Sequence, residues 1–422
     1  MKVKSRKVDG DYILSLPRVK RKKAPYPSFI FRTLVRILSI GELKKVDFSY
    51  KQERMDLIGK KQPILILMNH SSFIDLKIAS KIFYPRCYNI IGTADAMIGK
   101  EWLMRRLGVV ATNKFVPDIP LVLECMKIAK KKKRSILLYP EAGYSFDGTA
   151  TALPKSLAPF IKSLGIPVVT VITDGAFLYD PLYNELKKRK VKVSAKVKCL
   201  FTAEELNEKS VEEIETAVKG DFSFDNFKNQ YLNGVKITEP NRADGLQRVL
   251  YKCPACGGEE TQGKGENLTC LKCGKTYRLE ENGQMKALIG ETEFPHIPDW
   301  YNWEREEVKK EILSGNYNLE TKVDYGVISG YKSFFEVGEG ILTHNSDGLK
   351  LVSLDGKITA SQSAKNSYSI NADFYWYEGG DIVSLGNSEI LYYCFPKENI
   401  PVAKIRLAGE ETYKLLKKEE KK

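Results

Sequence analysis

The sequence is short of histidine and of long hydrophobic runs. Three histidines occur among 422 residues, and His70 is the first of them, with the next at position 296. No stretch approaches the ~20 apolar residues that a membrane-spanning helix needs; the longest runs, 64–68 and 166–172, have the length of strands. These absences argue against an integral helical membrane protein and make His70 the first candidate for acid–base chemistry.

Signs of secretion are also lacking. The basic N-terminus has no apolar core followed by a small-residue cleavage site, as a secretory signal would. Eight cysteines are present, but four are clustered and four are scattered, which is not the pattern of a disulfide framework. The scattered ones lie in apolar or strand-like surroundings and are Cys87, Cys125, Cys199 and Cys394. We therefore expect a reducing, cytoplasmic compartment.

Positive charge is concentrated at one end of the chain. The net charge is +14, and residues 1–60 alone hold sixteen Lys and Arg against six Asp and Glu, or +10. This distribution argues against a uniformly basic nucleic-acid coat, and nucleic acid is not a predicted partner. It points instead to a local anionic surface, such as a membrane with anionic lipids.

Two segments make up the basic N-terminal region, predicted as residues 1–48. Residues 1–24 are interpreted as a mostly unstructured arm. Residues 25–42 show helical spacing of apolar residues with arginines between them, which leaves two interpretations. The helix lies in a membrane interface, or it packs on the next domain like any other amphipathic helix. The residues of this pattern are Phe29, Ile30, Arg32, Leu34, Arg36, Ile37 and Leu38.

The next region, residues 49–248, is predicted to be an α/β domain. Apolar or alternating runs predict strands at 64–68, 135–139, 168–172 and 193–201, and helices are predicted between the first three, at 75–84, 121–133 and 155–164. Strands that alternate with helices indicate a mainly parallel sheet with helices on both faces. Beyond it we predict a cysteine-bearing zinc ribbon (249–285), a helical linker (286–324) and a small β-rich domain with a C-terminal helix (325–422).

The most informative motif follows the first predicted strand, Asn69-His70-Ser-Ser-Phe-Ile-Asp75. In open α/β folds, ligands and catalytic groups gather at the C-terminal ends of strands. A neutral imidazole at His70 can take a proton from a hydroxyl near pH 7, and Asp75 is the nearest carboxylate to orient the ring. The alternative is structural, because Ser72-x-x-Asp75 is also similar to a helix capping box.

A second polar turn follows the strand at 135–139, with the sequence Tyr-Pro-Glu-Ala-Gly-Tyr-Ser over 139–145. Glu141 and Ser145 can bind hydroxyls or orient a ligand, and Gly143 permits close backbone approach. An ordinary strand-to-loop turn remains the alternative. If functional, the two strand ends converge on one cleft.

Together these motifs resemble the glycerolipid acyltransferase family, which includes lysophosphatidic acid acyltransferases. Asn69-His70-x4-Asp75 resembles the family's first motif, and residues 139–145 are similar to the third, usually Phe-Pro-Glu-Gly-Thr-Arg-Ser. Residues 108–114 fall where the second is expected, and Gly-Ile-Pro-Val-Val-Thr-Val at 165–171 is similar to the fourth. The resemblance covers roughly residues 60–200.

What the resemblance implies is acyl transfer from a thioester, either acyl-CoA or acyl carrier protein, to a hydroxyl of a lipid acceptor, without a catalytic cofactor. His70 is then the general base, and Asp75 fixes its tautomer and stabilises the charged ring. The enzyme would work peripherally at the cytoplasmic face of a membrane. The residues carried over as substrate-binding are Asn69, Lys114, Glu141, Gly143, Tyr144 and Ser145.

Two departures from the family pattern concern the acceptor. The third motif usually carries an Arg that resembles a phosphate ligand, and Tyr144 stands there; the second usually ends in Arg, and Lys114 stands at about that place. Arg binds phosphate through two hydrogen bonds, whereas Lys is a point charge and Tyr a single neutral donor. The acceptor is thus left open between a lysophospholipid, a glycolipid and another alcohol. The altered motif also supports an alternative, a non-catalytic binding protein on a degenerate acyltransferase fold.

Four cysteines form the second strong pattern, Cys253-x2-Cys256 and Cys270-x2-Cys273. Such spacing supplies four thiolates for a tetrahedral Zn²⁺, with iron in a rubredoxin-like site as the alternative. Four thiolates leave no open coordination position, so we predict a structural metal that stabilises a segment too short to bury much core. A scaffold or interaction role is favoured over nucleic-acid binding.

Overall fold

The computed structural model of the protein describes residues 4–17, 22–329 and 333–419. The chain opens with β1 (Ser5–Lys7), α1 (Gly10–Ser15) and α2 (Phe29–Lys45). The helix predicted at 25–42 is therefore present. The prediction of a mostly unstructured arm is wrong for the described part, whereas the basic run at 18–21 lies outside the described residues.

An α/β region follows, built on a seven-stranded sheet. Its strands lie in the order β2-β8-β7-β3-β6-β4-β5, and all neighbours are parallel except the antiparallel pair β7 and β8. The mainly parallel sheet is confirmed. Its elements are β2 (Ser49–Glu53), β3 (Leu65–Met68), α3 (Asp75–Phe83), β4 (Tyr88–Thr93), α4 (Glu101–Arg106), β5 (Val109–Thr112), α5 (Ile119–Met126), β6 (Ser135–Leu138), α6 (Leu157–Leu164), β7 (Val168–Asp174), α7 (Ala176–Tyr179), β8 (Ser194–Phe201), α8 (Ala203–Glu208), α9 (Val211–Asp221) and α10 (Asn226–Leu232).

Strand β3 lies at the centre of this sheet and is covered on both faces. Ile66 and Met68 pack in one core with α2 and α3, whereas Leu65 and Leu67 pack in another with α6 and α9. Alternate residues of a strand point to opposite faces, so a strand covered on both sides must be apolar throughout. This burial explains the continuous hydrophobic run and confirms that helices lie on both faces.

The rest of the chain forms two antiparallel sheets and two long helices. The first sheet, in the cysteine segment (residues 249–285) and just beyond it, contains β9 (Thr261–Lys264), β10 (Asn267–Cys270), β11 (Thr276–Leu279) and β12 (Met285–Ala287). Helix α11 (Ile297–Leu313) follows. The second sheet has the order β16-β15-β14-β13-β19-β18-β17, and α12 ends the described chain. Its elements are β13 (Leu319–Ser329), β14 (Ser333–Asn345), β15 (Gly348–Ser353), β16 (Thr359–Ser363), β17 (Asn371–Asp373), β18 (Ile382–Gly386), β19 (Leu391–Pro396) and α12 (Val402–Glu419).

The C-terminal sheet begins earlier than the predicted boundary at 325, which falls inside β13. The N-terminal segment joins this sheet, because β1 pairs in parallel with β14. The side chains of Ser5–Lys7 are exposed, so this strand is held by backbone pairing alone. For the same reason its sequence has no hydrophobic pattern from which the strand could be predicted. The β-rich region with a final helix is confirmed.

One hydrophobic core connects the C-terminal sheet to the α/β region. The rings of Phe146, after β6, and Phe374, after β17, stack with centroids 4.0 Å apart. Trp300 of α11 is fully buried, and its indole N–H donates to the Lys252 carbonyl in the cysteine segment at 2.9 Å. Within the described ranges, no helix has both the length and the apolar character needed to cross a bilayer.

Candidate active site

His70 and Asp75 meet at the C-terminal end of β3. His70 lies in the turn after the strand, Asp75 is the first residue of α3, and Nδ1 of the ring lies 3.0 Å from Oδ2 of the carboxylate. The same oxygen accepts the backbone N–H groups of Ser71 at 3.0 Å and Ser72 at 3.1 Å. Asp75 therefore holds both the imidazole and the turn before α3. The N-cap residue of α3 is Ile74, which makes no side-chain cap, so the capping box considered at Ser72 and Asp75 is not formed.

The arrangement leaves the far nitrogen of the ring for chemistry. When Nδ1–H donates to Asp75, Nε2 carries the lone pair that can accept a proton; this tautomer is assigned from the hydrogen bond. Asp75 is buried, whereas the His70 side chain keeps 22% of its surface exposed. A buried carboxylate behind a partly accessible imidazole suits a general base.

Two tyrosines hold the imidazole between them. The centroid of the His70 ring lies 4.3 Å from that of Tyr139 and 4.0 Å from that of Tyr144. Phe73 extends this wall, since its ring stacks on Tyr144 at 5.5 Å. The residue that replaces the usual third-motif Arg is therefore an aromatic neighbour of the candidate base.

Three polar residues of the motifs fix the backbone around His70. Asn69 is fully buried, and its Oδ1 accepts the N–H of Thr173 on β7 at 2.8 Å. Glu141, also fully buried, accepts the His70 N–H at 2.9 Å and the Thr151 N–H at 2.8 Å. The backbone N–H of Ser145 donates to the His70 carbonyl at 3.3 Å. These contacts favour a site-shaping role for Asn69 and Glu141, whose substrate binding stays a prediction.

Burial raises the pKa of Glu141 to about 7, although the N–H groups from Thr151 and His70 lower it. A carboxyl taken out of water disfavours its charged form, and hydrogen bonds to the anion oppose that effect. Glu141 therefore titrates near neutrality while bonded to the backbone of the candidate base.

The third-motif loop contains an unusual backbone conformation. Ala142 has φ of +56°, the left-handed region, and it occupies the position where the family's motif has Gly. Gly143 is buried, and an added Cβ would lie 3.6 Å from the Phe115 ring, an ordinary contact distance. The position that needs conformational freedom is thus 142, one residue before the glycine singled out from the sequence.

Residues from the C-terminal region border the same loop, and sequence reasoning missed them. Lys114, after β5, lies with its Nζ 3.4 Å from Oδ2 of Asp373 at the end of β17. Arg406 of α12 donates to the Tyr144 carbonyl at 3.1 Å, and its guanidinium lies 4.5 Å from the Phe146 ring centroid. No local pattern marks these contacts, because they arise from docking of distant segments.

Asp180 is a further residue without a sequence signal. It follows α7 and accepts a hydrogen bond from the Ser72 hydroxyl. Burial raises its pKa to about 7; the bond from Ser72 lowers it, and the nearby charge of Asp75 raises it further. A second carboxyl group therefore lies beside the His70–Asp75 pair.

Comparison with known proteins places this site in a family. Residues 49–174, which hold all four motifs, match the family model described as Acyltransferase.

The chain carries an acyltransferase-family domain.

The resemblance deduced from the motifs is thus confirmed. A 1-acyl-sn-glycerol-3-phosphate acyltransferase of Brassica napus, named BAT2 and chloroplastic, is 26% identical over 178 residues, or 41% of this chain. The chain spans about half the length of this relative, 49%. A crystal structure of the 1-acyl-sn-glycerophosphate acyltransferase PlsC from Thermotoga maritima aligns with a TM-score of 0.36 and 17% identity, covering 45% of this chain and 76% of that one.

Beyond the acyltransferase domain, the four clustered cysteines come together as the spacing predicts. The sulfur atoms of Cys253, Cys256, Cys270 and Cys273 all lie within 4.8 Å of one another. Two sulfur pairs, Cys253 with Cys273 and Cys256 with Cys270, are 3.8 and 3.7 Å apart. Four sulfurs at ~2.3 Å from a tetrahedral ion would be about 3.8 Å apart, so the cluster fits a Cys₄ metal.

Proposed function

We propose that the chain is an O-acyltransferase that moves a fatty acyl group from acyl-CoA or acyl carrier protein to a hydroxyl of a lysophospholipid or related lipid. The observation that carries the proposal is the 3.0 Å contact between His70 Nδ1 and Asp75 Oδ2 at the end of β3. The match of residues 49–174 to the Acyltransferase family model, and the likeness to a 1-acyl-sn-glycerol-3-phosphate acyltransferase, support transfer of an acyl group to a lipid.

The reaction follows from this pair. His70 Nε2 takes the proton of the acceptor hydroxyl as the oxygen attacks the thioester carbonyl, and Asp75 stabilises the imidazolium that forms. The tetrahedral intermediate collapses as the new C–O bond is kept and the C–S bond breaks. The imidazolium then gives its proton to the departing thiolate, so base and acid are the same residue.

Other motif residues would position the reactants. Asn69, Glu141 and Ser145 support the His70 backbone through the hydrogen bonds described above. Tyr144 and Gly143 would line the acceptor side, and Lys114 would border it. A nucleophile held at the correct distance and angle gains much of its rate from that positioning.

Helix α2 would hold the enzyme on a membrane. Its Phe31 and Val35 pack against the α/β core, while a second apolar stripe faces outward. That stripe is exposed by 46–74% and consists of Phe29, Ile30, Leu34, Ile37 and Leu38. Trp102 is also exposed and its ring lies 5.4 Å from Phe31, which adds an interfacial aromatic beside the stripe. The basic N-terminus would attract anionic lipids at the cytoplasmic face.

The four cysteines would hold structural Zn²⁺ in a zinc ribbon. Bound there, the ion would supply folding energy for residues 249–285 and take no part in acyl transfer. Lys252 within this segment donates its backbone N–H to Glu304 of α11 at 2.7 Å, so the ribbon and that helix stabilise each other.

Thiol release from acyl-CoA or acyl carrier protein, measured with a panel of acceptor alcohols, tests the proposal. His70→Ala should lower kcat by about 10²–10⁴-fold, the usual contribution of a general base. His296→Ala is the matched control, because the ion-pair partners of His296 are Asp225 and Asp299, neither of which belongs to a motif. It should keep wild-type activity.

Product analysis by mass spectrometry identifies the acceptor in the same reactions. Folded protein that transfers acyl groups to none of the acceptors would contradict the proposal and favour the non-catalytic alternative. Full activity in His70→Ala would be consistent with acyl transfer but would overturn the role of His70 as general base.

A further inference from the structure

The acceptor side of the candidate site contains a charge pair that joins two regions of the chain. Lys114 after β5 and Asp373 at the end of β17 are 9% and 7% exposed, with Nζ and Oδ2 3.4 Å apart. Burial lowers the pKa of Lys114, but Asp373 and Asp95 raise it more, so the ammonium stays charged. The C-terminal sheet thus neutralises the one cation of the second motif.

The neighbouring guanidinium is neutralised as well. Arg406 is 4% exposed and lies with Nε 3.3 Å from Oε1 of Glu410. Burial raises the pKa of Glu410, but Arg305 and Arg406 lower it to about 2, so Glu410 is a carboxylate at neutral pH. Arg406, which donates to the Tyr144 carbonyl of the third-motif loop, therefore has its positive charge paired with Glu410.

The charges of three carboxyl groups act on Tyr144, whose ring contacts the candidate base. After burial, Asp75, Asp373 and Asp180 are the main causes that raise the pKa of Tyr144 well above its usual value. These three groups come from α3, β17 and the turn after α7. Asp373 consequently acts on the same aromatic wall that contacts His70.

We propose that Asp373 determines acceptor specificity, so that the enzyme acylates a lipid with an uncharged, hydroxyl-bearing headgroup rather than a phosphate monoester. A phosphate monoester carries −1.5 to −2 charges at pH 7. Near Tyr144 it would meet the negative charge of Asp75 and Asp373, and it would have to displace Asp373 to reach Lys114. Uncharged hydroxyls face neither cost. This inference rests on the proposed acyl transfer.

Two acceptors with the same acyl chain, 1-acylglycerol and 1-acylglycerol-3-phosphate, distinguish an uncharged headgroup from a phosphate monoester. We expect wild-type kcat/KM to be at least tenfold higher for 1-acylglycerol, measured with both acceptors at equal density in mixed micelles. Asp373→Asn frees the Lys114 charge and should move the ratio at least tenfold toward the phosphate acceptor, mainly through KM. A wild-type preference for the phosphate acceptor, or an unchanged ratio in Asp373→Asn, would overturn the proposal.

A matched control distinguishes the loss of the Asp373 charge from a general loosening of the contact between the two regions. Asp381 also bridges two regions, with both carboxylate oxygens 3.1 Å from Arg248 Nε, and its hydrogen-bond donors are Arg248 and the Tyr375 N–H rather than Lys114. Asp381→Asn should leave the acceptor ratio unchanged, and a similar shift in both variants would overturn the role of Asp373. If Asp373→Asn does not fold, the wild-type ratio alone decides. Absence of thiol release with both acceptors would overturn the proposed acyl transfer and this inference with it.

Discussion

The two walls of the candidate site differ in how far apart their residues lie along the chain. The catalytic wall joins His70 to Asp75, five residues away, and to Tyr139 and Tyr144 in a single loop. The acceptor wall pairs Lys114 with Asp373, 259 positions further on. The His70–Asp75 pair is thus formed within one turn, whereas the residues that would select the acceptor depend on docking of a second region.

The acceptor wall also depends on the cysteine segment. Lys404, two positions before Arg406 in α12, donates to Glu259 between the two cysteine pairs, with distances of 2.8 and 2.9 Å. It also contacts Glu311 of α11 at 2.9 Å. A disturbance at the cluster should therefore reach the acceptor wall before it reaches β3.

Loss of the proposed zinc should give the largest difference in stability between the two walls. Structural zinc contributes ~10–16 kcal/mol in small zinc domains, so Cys270→Ser should unfold residues 261–287 locally. Hydrogen exchange should accelerate there and, to a lesser degree, at 367–387, with protection at 65–75 retained. Metal content by mass spectrometry accompanies the measurement. Cys87→Ser, outside the cluster, is the control, and unchanged exchange at 261–287 in metal-free protein would contradict the prediction.

Asp75→Asn disturbs the catalytic wall instead. The amide cannot stabilise an imidazolium as a carboxylate does and can favour the wrong His70 tautomer, so kcat should fall about 10²–10⁴-fold with little change in KM. Steady-state kinetics of thiol release measures both parameters. Asp299→Asn, which removes an exposed carboxylate beside His296, is the control. A rise in KM without loss of kcat would mean that Asp75 serves only to hold the turn before α3.

The residues of the catalytic wall were predictable from sequence because each belongs to a short motif, although the two motifs lie about 70 residues apart. His70, Asp75 and the four cysteines each follow a spacing that a turn or a knuckle imposes, so residue type and separation were enough. The strands β3, β6, β7 and β8 carry apolar or alternating runs and were predicted as well. Where residue type and spacing are fixed by a turn, a metal-binding knuckle or a buried strand, the sequence pattern is enough to predict the structure.

The remaining features needed the tertiary structure. Strand β2, Ser-Tyr-Lys-Gln-Glu, is an exposed edge strand held by pairing with β8, so hydrophobic periodicity cannot reveal it. Asp180, Asp373 and Arg406 reach the site only after their segments dock, and an Asp or Arg in a loop or helix ordinarily faces solvent. Burial and partners, which sequence spacing does not encode, give these residues their roles.

Glu141, which accepts the N–H groups of His70 and Thr151, should give stability a pH dependence. Its pKa rises from 4.5 unfolded to about 7 folded, so the native state holds the proton more tightly. Its stabilising contribution is complete below pH ~4.5 and is lost as the pH rises to ~7, about 3 kcal/mol in all. Denaturant unfolding between pH 4.5 and 8 should show this fall, less steeply in Glu141→Gln.

Asp180, with its pKa also raised to about 7, should keep a slope of its own in that variant. The difference between wild type and Glu141→Gln therefore isolates Glu141. Glu212→Gln, on the exposed surface of α9, is the control and should show the wild-type slope. Equal slopes in wild type and Glu141→Gln would show that Glu141 is ionised in the folded protein across this range.

The smallest expected effect is on membrane binding, which would bring a lipid substrate to the site. Helix α2 packs on α3, which carries Asp75, so a membrane bound at the exposed stripe would lie on the catalytic side. Replacing Ile30 and Leu38 by Glu should remove about 1 kcal/mol each of interfacial burial, weakening binding to anionic vesicles ~10–30-fold. Vesicle co-sedimentation measures the change, and added salt should weaken the wild type as well. Leu354→Glu is the control, because Leu354 is also an exposed apolar residue but lies in the C-terminal sheet region; this variant should bind vesicles as the wild type does. If it weakens binding as much as the α2 variant does, the membrane contacts the acceptor side and the assignment of α2 is wrong.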